Sequence, residues 1–334
     1  MRALAVLLAL ALAGCQSAPQ NGPQSAIPNE VGIGTRSTFA IATPAGLVGL
    51  DAAGKIIGRI ATLPKGAVPS APVLHPSGRI FFALSQTLEG LGFGSDIYSV
   101  NVDGTDLRAV ITREGPDVFY ASPSFEASGN VMYVHRRAAK QEANNPGVYL
   151  ETEDRIERLD LRTGERQKVL SDGAEPAVLP DGKTLVYVRI DRGQQAGLYT
   201  IGTDGSKPQP LLKTGDRFWW LQAPRVSPDG RELTWSSAGR TSAVPVGPPV
   251  ASGNGGRLAH LDIPSELYVA PLDGTSLRSI TTTMDDVTPA WSPDSTRIAF
   301  IAMGTFFVVS VQDAAVVVKA QTAGFNYGDP IFLH

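Results

Sequence analysis

The chain is predicted to be all-β: a six-bladed β-propeller of four-stranded blades, its ring closed by N-terminal strands pairing with the C-terminal strand. Three observations carry that prediction. Short alternating apolar runs dominate, and few stretches keep a helical period. Gly and Pro number 35 and 25 of 334 residues, enough for frequent turns but below the level typical of disorder. A strand–turn–strand motif also recurs five times, and a truncated sixth copy ends the chain.

The motif is clearest at Pro289-Ala290-Trp291-Ser292-Pro293-Asp294-Ser295, followed by an alternating strand through Ile298 and Phe300. Its copies begin at Pro72, Pro123, Pro176, Pro224 and Pro289. Each reaches a turn six residues on, at Gly78, Gly129, Gly182, Gly230 or Ser295. Proline pre-sets φ in such a turn, Asp or Ser accepts a local backbone hydrogen bond, and Gly tolerates positive φ. Ser295 lacks that freedom, so its turn is expected to differ slightly.

A second strand pair follows each copy, joined by Asp103-Gly104, Thr163-Gly164, Asp204-Gly205 or Asp273-Gly274, with Asp313-Ala314 as the degenerate case. Successive prolines, counting Pro330, lie 51, 53, 48, 65 and 41 residues apart. That length holds four short strands, the content of one propeller blade. The segment from Ser37 to Ile60 supplies three strands without a first, and Asp329 to His334 supplies a first without the other three. Together they complete one blade and leave no open edge.

The N-terminus has a different character. Arg2 precedes an apolar run from Ala3 to Leu12, too short to span a bilayer. Leu12-Ala13-Gly14-Cys15 then ends in the only cysteine of the chain. This resembles the bacterial lipobox, which implies removal of residues 1–14, a lipid-modified Cys15 and anchorage without a membrane span. Residues 15–36 are rich in Gln, Ser, Pro, Asn and Gly and read as a flexible tether. About 20 such residues span roughly 25 Å root-mean-square. The domain boundaries are thus 1–14 signal peptide, 15–36 lipidated tether and 37–334 propeller. Gln16 after the cysteine implies an outer-membrane destination if the organism is Gram-negative; otherwise the protein faces the outside of the cell.

The repeats resemble those of the TolB-like (WD40-like Pro-Asp repeat) propellers, whose blades carry a Pro-x-Trp-Ser-Pro-Asp-Gly turn. Pro289 to Asp294 and Pro224 to Gly230 match best, and the resemblance covers Ser37 to His334. It implies a periplasmic or cell-envelope platform that binds a protein or cell-wall component. TolB itself carries an additional N-terminal domain, for which this chain has no room.

The chemistry is less legible. A formal net charge of −3 argues against a nucleic-acid partner. No Gly-x-Ser-x-Gly elbow, His-Glu-x-x-His helix or phosphate-binding glycine loop occurs. His75, His135, His260 and His334 are dispersed, so no metal, cofactor or catalytic set is assigned, and a monomer is expected. Sequence length varies most between the second and third strands of a unit, at Ser85–Ser95, Arg136–Asp154 and Ala238–Pro264. These read as loops on one face, where function tends to reside.

On that face the candidate ligand-binding residues are Trp219, Trp220, Tyr120, Arg136, Asp286 and Tyr327. Aromatic groups there could stack on a sugar or clamp a peptide. Acidic residues preceding first strands (Asp117, Glu175, Asp216, Asp285, Asp286, Asp329) could meet a cation, or serve as turn caps. An alternative is a lyase or hydrolase of a saccharide using His135, Arg136, Tyr120 and Asp286. Another is a saccharide or peptidoglycan receptor built on Trp219 and Trp220.

Overall fold

The computed structural model describes residues 27–142, 145–214, 218, 220–238, 265–283, 287–322 and 324–334, and omits the side chains of 140–151 and 238. The signal peptide, Cys15, Trp219, Asp216, Asp285, Asp286 and most of the Ala238–Pro264 segment lie outside the described residues. Within them the fold is all-β, with one short 3-10 turn at Ile33–Arg36.

The strands group into four-stranded antiparallel units. The first unit comprises β1 (Phe39–Thr43), β2 (Gly46–Leu50) and β3 (Ile56–Arg59), and its inner strand is the C-terminal β24 (Asp329–Phe332). Phe39 pairs with Phe332 and Ile41 with Pro330, so both chain ends build one sheet, as the termini predict. The second unit is β4 (Val68–Leu74), β5 (Arg79–Leu88), β6 (Gly92–Asn101) and β7 (Arg108–Ile111). The third is β8 (Val118–Phe125), β9 (Val131–Glu142), β10 (Asn145–Asp160) and β11 (Arg166–Ser171). A parallel pairing of Ser95 with Phe119 joins these two into one eight-stranded sheet.

The fourth unit is β12 (Gly173–Val178), β13 (Thr184–Asp191), β14 (Gln194–Gly202) and β15 (Gln209–Lys213). The fifth is β16 (Trp220–Val226), β17 (Glu232–Ala238), β18 (Ser265–Pro271) and β19 (Arg278–Thr283). The sixth is β20 (Ala290–Trp291), β21 (Arg297–Ala302), β22 (Thr305–Ser310) and β23 (Val316–Gln321).

The alternation in the sequence predicts one apolar face per sheet. Both faces are in fact buried. In β21, Ile298 and Phe300 join one core cluster while Ala299 and Ile301 join another. In β5, Ile80, Phe82 and Leu84 face one neighbour, and Phe81 and Ala83 face the other. Successive side chains point to opposite faces, so a run that is apolar without interruption marks a sheet packed on both sides. The first strands also contact one another in sequence: β4 with β8, β8 with β12, β12 with β16, β16 with β20, β20 with β24, and β24 with β4.

A feature invisible in the sequence recurs in four of these first strands. Ala71, Ser122, Glu175 and Ala223, each just before the motif proline, have φ of 47–50°. Each sits in a bulge that interrupts pairing with the second strand. Non-glycine residues in this region carry a conformational cost of order 1–3 kcal/mol, held in place by the surrounding structure.

The Pro-Asp turns lie at the end of the strands opposite the long hairpins and lock neighbouring units. His75 of the first turn bonds the Gly129 carbonyl through Nε2 at 2.8 Å and packs on Phe81 and Phe125, so it is a structural residue. Ser295 corrects the expectation of a distinct turn: it adopts φ 60° and closes the same turn, Ser295 N to Ser292 O at 2.9 Å. Its hydroxyl accepts from Asp229 N of the neighbouring turn at 3.1 Å, which explains a serine where the other copies have glycine. Ala314, at φ 58°, similarly stands in for glycine in the degenerate hairpin.

The folded part also begins before Ser37. Val31 pairs with Arg59, Arg59 N donates to Glu30 O at 2.8 Å, and Ile33 is fully buried. The predicted tether is therefore shorter than 15–36, because Val31 and Ile33 cover the outer edge of β3.

Two outcomes follow. Deleting Asp329–His334 removes β24 and should cost several kcal/mol, since Ile331 and Phe332 each lose roughly 1.5–3 kcal/mol of burial; unchanged urea denaturation would refute the pairing of the two termini. Ser295→Ala should cost about 1–2 kcal/mol by losing a hydrogen bond while keeping the strain, whereas Ser295→Gly should be nearly neutral because relief of strain offsets that loss.

Candidate functional site

In a four-stranded meander the turn between second and third strands lies at the same end as the link to the next unit. Two of the long segments read as loops form paired hairpins at that end. Ser85 pairs with Ser95, Gln86 with Gly94 and Leu88 with Gly92, so Ser85–Ser95 continues β5 and β6. Arg136–Asp154 likewise continues β9 and β10, with Arg137 opposite Asp154 and Lys140 opposite Glu151. The reading of Ser85–Ser95 as a loop is thereby corrected.

Buried charge braces the first hairpin. Arg113, fully buried, donates through Nη1 to Asp96 Oδ2 at 2.5 Å, and its backbone N–H donates to Asp96 Oδ1 at 2.7 Å. Its Nη2 reaches the carbonyls of Gln86 and Gly92 at 3.1 and 2.7 Å. A Cβ on Gly94 would lie 2.6 Å from Arg113 Cδ, so only glycine leaves room for the guanidinium stem. Breaking such a pair leaves an uncompensated buried charge.

The face between the second and third units holds Tyr120 and Arg136, which were expected at an open mouth. Both are buried instead. The Tyr120 hydroxyl donates to Glu114 Oε2 at 3.1 Å and accepts from Arg166 Nη1 at 3.0 Å. Arg136 Nε donates to Glu114 Oε1 at 2.6 Å. Glu157 accepts from Arg155 at 2.6 Å and lies 3.4 Å from Arg166. Burial, and then the negative charge of Glu157, push the Tyr120 phenol well above its ordinary range, so it stays neutral. Glu114, in the link between the second and third units, thus ties down Tyr120 and Arg136 of the third, whose own Arg166 completes the set; the physical reason sequence reasoning misplaced them is that a position near the start of a strand does not reveal which neighbour covers it.

His135 lies one residue from Arg136 in uninterrupted pairing and therefore points to the opposite face. Its Nε2 meets Asp154 Oδ1 at 2.7 Å, and Arg137 Nε donates to the same oxygen at 2.6 Å. Burial alone would raise the Asp154 carboxyl, but the His135 hydrogen bond and the Arg137 charge pull it down to about 2. The strand alternation thus separates His135 from Tyr120 and Arg136, so those three do not share a cavity.

The acidic residues before first strands divide. Asp329 Oδ2 accepts from Ala71 N at 2.7 Å, and Glu175 Oε2 accepts from Ala223 N at 2.5 Å. Each carboxylate caps the strained residue of the next unit's first strand, which is the capping role weighed from sequence. Between them electrostatically lies Arg225, partly accessible yet surrounded by protein. Desolvation lowers its pKa, partly offset by Glu175 and Asp329. Its Nη1 donates to the Pro224 carbonyl at 2.9 Å. This residue was missed, and only its place one after the motif proline could have signalled it. Trp220 is half-buried with Nε1 bonded to Gln222 at 2.6 Å, and Tyr327 is half-buried. Among the described residues no three His, Cys, Asp or Glu side chains converge as a metal site, and no helix is long and apolar enough to cross a membrane.

Asp154→Asn should destabilise the protein by about 2–4 kcal/mol at pH 7 by stranding Arg137 and His135. The folded carboxyl titrates at about 2 against an ordinary value of 3.8, so its contribution is present above that ordinary value and is lost as pH falls from about 4 towards 2. Urea midpoints at pH 7, 4 and 2.5 should show the gap between wild type and variant closing over that window.

No protein-family model and no curated protein sequence matches the chain. Solved structures do. A TolB candidate from Agrobacterium tumefaciens is similar over 78% of this chain and 87% of its own, at 17% identity and a TM-score of 0.54. A puromycin-hydrolysing peptidase from Mycobacterium tuberculosis is similar over 86% of this chain but 45% of its own, at 14% identity and a TM-score of 0.52. At such identities the likeness is one of fold alone: all-β, with four-stranded antiparallel sheets as in a β-propeller.

Proposed function

We propose that the chain is a cell-envelope lipoprotein, anchored by acylated Cys15, whose six four-stranded blades form a closed ring serving as a protein- or cell-wall-binding platform. The cyclic order of first-strand contacts, returning from β24 to β4, supports six blades and closure. Pairing of β24 with β1 supports the ends as the closing element. The lipobox-like Leu12-Ala13-Gly14-Cys15 supports the anchor.

One observation carries the binding role. Two adjacent hairpins, β5–β6 and β9–β10, extend on a single face and are braced by the ion pairs Arg113–Asp96 and Arg137–Asp154. Rigid projections held by internal charge suit recognition of a partner, since their ordering cost is met before binding.

The test is site-specific photo-crosslinking in whole cells. A crosslinker at Glu89, in the β5–β6 turn, should trap a discrete partner or cell-wall material, whereas one at Asp204, in a turn at the opposite end, should not. Equal yields from both sites would defeat the platform reading. Cys15→Ser should move the protein from the membrane to the soluble envelope fraction; an unchanged distribution would defeat the anchor.

A further inference from the structure

Each outer strand carries one bulged residue, skipped in pairing with the third strand: Ile57, Val110, Val169, Leu211, Ile280 and Val317. The first five pack into the core cluster shared with the following unit. Val317 does not: it is 52% exposed, and its neighbour Val316 is 56% exposed. At three of the other five junctions the third-to-fourth-strand turn of the following unit supplies Leu107, Leu161 or Leu277 to the seam. Here the turn is Asp51-Ala52-Ala53-Gly54, too small to do so.

The seam between the sixth and first units is therefore apolar and uncovered at its rim. The chain also enters the fold there. Ile27 packs against the cluster of this seam together with Val318, and Val31, 46% exposed, follows along β3. Val316 and Val317, two of the four exposed large apolar residues among the described residues, lie on this flank, with exposed Lys319 and Lys55 near them in sequence.

We infer that this rim, Val316–Val317 with Lys319 and Lys55, rests on the lipid surface and sets the orientation of the protein on the membrane. The inference rests on the proposed anchor. Ile27 is twelve residues after Cys15, so the rim can stand at most about 40 Å from the acylated residue. An apolar edge flanked by lysines matches the interface of an anionic bilayer. The valines are too few to hold the protein alone; the acyl chains supply attachment, and the rim decides which side faces the bilayer.

The experiment uses the full lipidated chain reconstituted in phosphatidylethanolamine–phosphatidylglycerol vesicles. An environment-sensitive fluorophore is placed on Val317→Cys or, as a control, on Asp204→Cys; acylated Cys15 leaves one reactive thiol in each. Spin-labelled lipid should quench position 317 several-fold more than position 204. Equal quenching in protein that floats with the vesicles overturns the inference while leaving the anchor intact. Failure to float removes the anchor and this inference with it. A buried-type emission from position 317 in the Cys15→Ser chain without vesicles means that the chain or a second copy covers the rim. Dilution separates those two cases, and either overturns the lipid assignment.

Discussion

Every sheet in this protein is apolar on both faces, and neither face can be left to water. Ile298 and Phe300 bury towards one neighbour while Ala299 and Ile301 bury towards the other. Leaving either set exposed would cost roughly 1.5–3 kcal/mol per large side chain. A sheet with two apolar faces needs a sheet on each side, and so does each of those. The first and last repeats face the same demand, which is why β24 from the C-terminus completes the sheet begun by β1.

Polar chemistry is arranged around that constraint. The charged groups near the extended hairpins are satisfied at the seams rather than offered to solvent. Glu114, in the link between the second and third units, holds Tyr120 and Arg136 of the third beside Arg166, and His135, Arg137 and Asp154 occupy the other face of the same sheet. Replacing a member of such a network leaves a buried donor or acceptor without its partner, which costs more than the net value of the bond itself. Glu175 and Asp329 act in the same manner, each holding a backbone N–H of the next unit's strained first strand. Charge therefore helps fix how neighbouring units meet.

Small departures from the repeat then acquire meaning. The outer-strand bulge is regular in all units, but Val317 of the sixth stays exposed where its counterparts pack inward. That place coincides with the entry of the N-terminal segment at Ile27. A lipid-anchored reading and an uncovered rim thus converge on one flank of the molecule. The same regularity explains Ser295, which keeps a glycine-like φ because its hydroxyl serves the neighbouring turn.

The sequence by itself determined the strand-turn-strand repeat, the four-stranded unit and the sharing of one sheet between both termini. Those features are local: a Pro-Asp turn, an Asp-Gly hairpin and an apolar run each state their geometry within about ten residues. The uninterrupted run Ile298-Ala299-Phe300-Ile301 even contained the two-sided burial, although alternation alone suggested one side. The tertiary structure decided the rest. Whether Tyr120 and Arg136 face a mouth or a seam depends on residues outside their own unit: Phe81 and Ile97 of the second unit share a core cluster with Tyr120, and Glu114, in the link between the units, holds both side chains. Arg225 between Glu175 and Asp329, and Asp329 on Ala71 N, join positions far apart in the chain. Such contacts arise only when neighbouring sheets stack, because local periodicity records which way a side chain points and not what it meets.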